Sequence, residues 1–252
     1  MATFEAQVEA MTSIAIDGTS TPTQDELSQY LKDGVIDVTN KWLLVKPQDA
    51  DKFARSTTSD SQGVSVGGAE ILHVMREANA DGSSDGTSVW RSCRKIPLAL
   101  QSRVVDSDSL LKATIYNPVY TQEVDKTINV YPTPSSNNAI KVYYINEEPR
   151  DITNDAALVY SHSNIKYFPN HLVYLVVKYA AIKVVEAKIS SYTVDEEDSE
   201  LVASYANTYR ALKTEYDQTF GMVAKSIMES GNQQQVLEQR GQMPTQGQEG
   251  EE

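Results

Sequence analysis

A chain of 252 residues with 40% hydrophobic side chains can bury the core of one large domain or two modest ones, which argues against a disordered polymer. Its 35 acidic against 22 basic side chains give a formal charge of -13, which argues against a sequence-independent grip on nucleic-acid phosphates from the outer surface. The single cysteine, Cys93, closes no intramolecular disulfide and fits synthesis in a reducing cytosol, where it reads as a small buried side chain.

The first predicted element is a short amphipathic helix, with Phe4, Val8, Met11 and Ala15 near helical spacing ahead of the loop "DGTSTPT". Its acids Glu5 and Glu9 stand where a signal peptide needs cations, and no apolar run of the chain approaches the ~18 residues of a membrane span. The expectation is a protein neither secreted by that route nor membrane-spanning. A second helix opens on the capping-box pair Thr23 and Glu26. Leu27, Leu31, Val35, Val38 and Trp42 then draw one apolar stripe until Pro47 stops the run.

From Ser56 to Thr87 the composition turns to Ser, Thr, Gly and Asp, interrupted by "AEILHVMREA", which reads as a strand. The stretch after Arg91 is mixed, and Pro97 allows only short elements. "KTINVYPTP" and "NAIKVYYINEEP" are β-rich and joined by "SSNN", predicting a meander or hairpin with Ile128 and Val130 on one side of the first strand and Ile140, Val142 and Tyr144 on one face of the second. Pro132, Pro134 and Pro149 place these strands at sheet edges or end them.

Two long helices follow. In "YFPNHLVYLVVKYAAIKVVEAKIS" Lys178, Lys183 and Glu186 share one arc, while Val173, Val177, Ala180, Ala181, Val184 and Ala187 occupy the opposite half. The charged arc also holds Leu172, Leu175, Tyr179 and Ile182, so this helix needs partners on more than one side. In the next helix Leu201, Tyr205, Leu212, Tyr216, Phe220 and Ile227 fall near heptad spacing, and the acids from Asp195 to Glu200 sit in its first turn, where the helix dipole favours them. A helical hairpin is predicted, ending near Met228. From Gly231 the chain is rich in Gln and Gly and too poor in apolar side chains to pack alone, predicting an extended or disordered tail.

The fold class expected is therefore α+β, mainly α: a helical bundle from residues 1–55 and 151–230, a small antiparallel β-rich insert with long loops over 56–150, and a tail over 231–252.

No catalytic constellation emerges. His73, His162 and His171 stand in different elements without metal-ligand spacing, and "GVSVGG" lacks the Lys-Ser/Thr ending of a phosphate loop and reads as a flexible loop. Asp195, Glu196, Glu197 and Asp198 lack the alternating ligands and turn glycine of a calcium loop. Ser161-His162-Ser163 has no nucleophile-elbow context. Scattered acids such as Asp106, Asp108 and Asp125 are the material for a metal-dependent hydrolase, but none has a role that the sequence defines. No catalytic residue, cofactor or metal is expected. Tyrosine stands out instead: of 14, all but Tyr30 lie at or after Tyr116, and Tyr suits polar-edged protein interfaces as well as core packing.

The order of "TFEAQVEAM", "TQDELSQYLKDGVIDVTNKW", "NPVYTQEVDKTINVYPTP", "IKVYYINEEP" and the two long C-terminal helices resembles the head-to-tail adaptor (connector or neck) proteins of tailed bacteriophages, especially marine and cyanobacterial ones. The resemblance spans most of residues 1–230, and the strand region is larger than in the most compact, all-helical adaptors. It implies a non-enzymatic virion protein, made in the host bacterial cytoplasm. It implies a ring, usually of twelve copies, between the portal and a tail or nozzle protein, with DNA passing through the lumen without specific binding. A negative lumen suits that role, because it repels phosphate. Candidate subunit contacts are then Val173, Val177 and Val184 with Tyr205, Tyr209 and Tyr216, and candidate portal-binding anchors in the tail are Val236, Leu237 and Met243. Another tail component, such as a tail terminator or tail-tube protein, is the alternative.

Overall fold

The structure, a computed structural model, describes residues 2–67, 69–78, 89–145, 148–195 and 199–241, and their side chains except those of 194–195 and 226–241. The chain divides into two compact units. One comprises the chain up to Val45, Val159–Ser163 and everything from Leu172; the other comprises Lys46–Leu158 and Asn164–His171. The β-bearing unit thus begins at Lys46, ten residues before the expected insert.

In the helical unit, α1 (Phe4–Thr12) starts on Thr3, whose hydroxyl accepts from the Ala6 N–H at 3.2 Å, and stops where Ser13 turns left-handed. Phe4 and Val8 are buried as the spacing predicts. Met11 is only half-buried and Ala15 is exposed beyond the helix end, where Ile14 and Ile16 are buried instead. Helix α2 (Gln24–Val45) opens with the reciprocal capping box: the Thr23 N–H donates to Glu26 Oε2 at 2.7 Å and the Glu26 N–H to Thr23 Oγ1 at 3.3 Å. Its whole stripe from Leu27 to Trp42 is buried.

Helices α4 (Asn170–Asp195) and α5 (Ser199–Gly241) run antiparallel, as Lys178 meeting Glu215 and Tyr192 stacking on Tyr205 require. Helix α2 joins both. The Tyr216 hydroxyl donates to Asp37 at 2.9 Å, and Trp42 meets Phe220 edge-on at 6.2 Å. A Cβ at Gly34 would lie 3.0 Å from Tyr179 Cδ1 and 3.3 Å from the Val176 carbonyl, so the bare glycine lets α2 approach α4. The demand of α4 for partners on several sides is met within the chain: Leu172, Leu175, Val176, Val177, Ala180, Ala181, Val184 and Val185 are all at most 1% exposed.

Two sequence expectations are corrected here. Lys178, placed with Lys183 and Glu186 on the charged arc, is not solvated but 1% exposed, because Glu215 and Thr219 of α5 reach its ammonium. The chain also stays helical to Gly241, where an extended tail was expected from residue 231. Gln, Glu, Leu and Arg are good helix formers, and a shortage of apolar side chains bars packing rather than helix. Residues 242–252 lie outside the described part.

The second unit has two sheets. The first, in the order β1-β7-β2-β3, is antiparallel and comprises β1 (Ala54–Ser59), β2 (Glu70–Glu77), β3 (Trp90–Ser92) and β7 (Ile140–Ile145). The second comprises β4 (Arg94–Lys95), β5 (Val119–Gln122) and β6 (Ile128–Tyr131), with β4 parallel to β5 and β5 antiparallel to β6. The short helix α3 (Gln101–Val105) lies in sequence between β4 and β5.

The predicted hairpin of "KTINVYPTP" with "NAIKVYYINEEP" is therefore not formed. Pro132 and Pro134 have no N–H to carry the ladder past Tyr131. Arg76 takes up the freed carbonyls instead, Nε donating to Pro132 O at 2.8 Å and Nη2 to Thr133 O at 3.3 Å. The predicted inward residues nevertheless share one core: Ile128, Val130, Ile140 and Val142 are each 0% exposed and cluster with Val64, Val66, Val74 and Cys93. Residues 63–67 of "GVSVGG" are thereby anchored rather than loose, Gly68 lying outside the described residues. Val64 exchanges backbone hydrogen bonds of 2.9 and 3.1 Å with Ile128, and the Gln62 amide group bonds both the N–H and the carbonyl of Val130 at 2.7 and 2.6 Å. The side chain of Gln62 thus substitutes for a neighbouring strand on the β6 edge.

Candidate assembly surface on the helix pair

Sequence reasoning nominated six positions of α4 and α5 as a contact surface, and the structure sorts them. Val177 and Val184 are 0% exposed and Tyr216 is 4% exposed, so their apolar surface is consumed within the chain's own unit. Val173, Tyr205 and Tyr209 stay half-buried and offer surface. Helical spacing gave the two valines an outward face because α2, their neighbour, lies far off in sequence. Val236 and Leu237 fall within α5, beyond the residues whose side chains are described; Met243 lies outside the described residues.

On this face the aromatic side chains are paired with cations. Tyr192 and Tyr205 stack with ring centroids 5.9 Å apart and planes 11° apart, and Lys188 Nζ sits 5.0 Å from the Tyr192 centroid. Lys213 lies 5.8 Å from the Tyr209 ring. Further along, Tyr174 is half exposed with the Lys178 ammonium 4.5 Å from its ring, and Met222 is exposed on α5. The arrangement is a set of large flat side chains with polar edges, suited to contact with another protein surface.

Beneath it, Tyr216 is held by α2. Burial first, and then the hydrogen bond to Asp37 and its negative charge, push the Tyr216 hydroxyl well above the ordinary phenol value. Lys41, 2.8 Å from Asp37, sits 5.0 Å from the Tyr216 ring and completes a Lys-Asp-Tyr group.

The chemistry-bearing residues of the other unit are not brought together. Asp106 accepts from the Asp108 N–H at 3.0 Å in the turn after α3, while Asp125 lies in the β5–β6 turn. There the Thr127 hydroxyl and N–H hold the Asp125 carboxyl below its usual range. Among the described residues no group of three or more His, Cys, Asp or Glu is placed to hold a metal ion. Burial pushes the Cys93 thiol up to about 12, which leaves it protonated and unreactive at neutral pH. His162 uses Nδ1 to accept from the Val159 N–H at 3.1 Å, a structural role.

One feature that sequence reasoning missed is Tyr167. It is exposed, with φ of 54°, and its ring lies 5.1 Å from the Arg55 guanidinium and 5.0 Å from Lys166 Nζ. Two clefts of about 630 and 610 Å³ share Arg55, Ser56 and Tyr167 in their walls. No local sequence signal marks this site, because it is assembled from separate segments.

No described helix is long and apolar enough to cross a membrane, for all the greasiness of α4. A search of curated proteins finds no match. The family model described as SU10 adaptor protein matches residues 6–231, which takes in both units and nearly the whole chain. The chain therefore belongs to the SU10 adaptor protein family and is a phage adaptor protein.

Proposed function

We propose that the protein is a non-enzymatic structural component of the virion at the head-to-tail junction. Copies form a ring, dodecameric in this reading, between the portal and a tail or nozzle protein, and DNA passes through the lumen without being bound specifically. The observation that carries the reading is the family match across residues 6–231. It is supported by the half-buried Val173, Tyr205 and Tyr209, whose remaining surface is available to a neighbouring copy, and by a net charge of -13, which repels phosphate from a lumen wall. The last turns of α5, with Val236 and Leu237, and the following segment with Met243 are the part that binds the portal.

The test is a mass measurement of the purified chain alone and mixed with its portal protein. A complex of many copies on the portal supports the reading. A chain that stays monomeric in both samples overturns it.

A further inference from the structure

The edges of the two sheets are unequally protected. Among the described residues β3 offers an edge of three residues and β4 one of two, while the β6 edge is taken by Val64 and by the side chain of Gln62. Strand β1 is the exception. Its six residues, "ARSTTS", contain no proline, keep one regular register from Ala54 to Ser59, and pair with β7 on one side only. Alternate residues of such an edge turn both N–H and carbonyl away from the sheet. From that side no described residue forms a hydrogen bond with the backbone of residues 55–58.

The two clefts that share Arg55, Ser56 and Tyr167 lie on opposite faces of the sheet at the start of this edge. Tyr143 and Tyr144, successive on β7 and so on opposite faces, line one cleft each. Ser56 and His73 pair with Tyr143 and share the first cleft with it; Arg55 pairs with Tyr144 and shares the second. A strand laid along β1 therefore sends successive side chains alternately into the two clefts.

The clefts differ in chemistry. Around the second, Arg150 is matched by Glu148 at 2.9 Å and Lys166 by Asp155 at 3.3 Å. Arg55 has no such match. Its Nη2 donates to the Glu148 carbonyl at 2.8 Å, but among the described residues it is in no salt bridge, and the Tyr167 ring is its other neighbour. A guanidinium with free N–H groups accepts a carboxylate in a two-pronged hydrogen bond. Tyr167, held at a φ of 54° where a non-glycine side chain is strained, walls both clefts. The first cleft is lined by Leu72, His73, Met75 and Tyr143, which suit an apolar side chain, and Asp51 in its wall repels a second carboxylate.

We infer that β1 takes up an extended segment of another protein as an added strand, with one carboxylate side chain on Arg55 and the apolar side chains next to it in the first cleft. The edge selects a polypeptide: its donors and acceptors alternate at strand spacing, and only a second extended backbone answers them in register. The site uses none of the residues of the helix pair and does not depend on the ring reading.

The experiment is fluorescence anisotropy of labelled synthetic peptides with the full chain as wild type, Arg55→Gln and Arg55→Glu, each shown by circular dichroism to be folded. The first peptide has a glutamate flanked by leucines, with threonines outside them. A second has lysine in place of the glutamate, and a third keeps the glutamate but is N-methylated along its backbone. The wild type is expected to bind the first peptide at least about tenfold more tightly than either of the others, and more weakly as ionic strength rises. Arg55→Gln is expected to lose the preference for glutamate over lysine, and Arg55→Glu to reverse it. Failure of the wild type to bind the first peptide, an unchanged preference in Arg55→Gln, or equal binding of the N-methylated peptide overturns the inference. Self-association of the wild type that the first peptide displaces assigns the edge to a second copy and overturns the choice of partner.

Discussion

Lys178 Nζ lies 2.6 Å from Glu215 Oε1, yet the lysine side chain is 1% exposed and the glutamate 55%. Only one of the two charges has been taken out of water. Removing Glu215 leaves a buried ammonium with the Thr219 hydroxyl at 3.0 Å as its hydrogen-bond acceptor and the Tyr174 ring beside it. Glu215→Ala is expected to cost about 1–3 kcal/mol in denaturant unfolding, the exposed glutamate keeping the loss below that of a fully buried pair. Lys178→Met, similar in volume and uncharged, should come within about 1 kcal/mol of wild type. Equal losses from both would show that the ammonium is not a burial liability.

The glycines of the helical unit divide by their surroundings. Gly34 has Tyr179 and Val176 within 3.3 Å of where a Cβ would sit, whereas Gly221, inside α5, has nothing within 4 Å. Gly34→Leu should destabilise by about 3 kcal/mol or more, because α2 and α4 must separate. Gly221→Ala should stabilise by about 0.5–1 kcal/mol through helix propensity alone. Melting temperatures that move in the same direction for the two variants would contradict this packing.

Gln62 replaces a strand at the β6 edge with one amide group. Gln62→Ala leaves the Val130 N–H and carbonyl without that partner, an expected loss of about 1–3 kcal/mol, and opens the edge to pairing with other chains. Aggregation during thermal unfolding, followed by light scattering, should therefore begin earlier in the variant; unchanged onset and unchanged stability would show that water replaces the amide at no cost.

The Tyr216 hydroxyl, raised by burial and by Asp37, holds its proton more tightly in the folded than in the unfolded chain. Its stabilising contribution is thus complete below the unfolded phenol value of about 10 and is lost as pH rises beyond it. Tyr216→Phe should cost about 1 kcal/mol at neutral pH, with Asp37 retaining Lys41, and should flatten the alkaline fall in stability. Parallel alkaline limbs for the two proteins would remove Tyr216 as a contributor.

What was legible in the sequence was local. The Thr23–Glu26 cap is four residues of chemistry, and the stripe from Leu27 to Trp42 is one helix face, so both are as the pattern predicts. Ile128 and Ile140 were recognisable as core because alternation is also local, but Ile140 is paired with Ser59 and Arg76, which no window of sequence contains, while Ile128 pairs with Gln122 across a short turn that the pattern did not mark. Lys178 misled because a lysine in a helical arc is usually solvated, and its partners come 37 and 41 residues later. The candidate contact positions fared likewise: Val177 and Val184 were rightly apolar, and only the three-dimensional neighbours decide who covers them.

The division of the helical unit along the chain has a consequence for biosynthesis. Asp37 meets Tyr216 across 179 residues of sequence, and the Ser28 hydroxyl receives the Tyr160 N–H across 132. At about 5–20 residues per second, a ribosome takes roughly 10–40 s to deliver Tyr216 after Asp37. Until α4 emerges, the face of α2 around Gly34 lacks the native cover of Val176 and Tyr179, while the intervening β-bearing unit can already close around its own core. Translation therefore yields a folded middle before a folded beginning, and a chain stalled before α4 presents that face of α2 to whatever holdase is at hand.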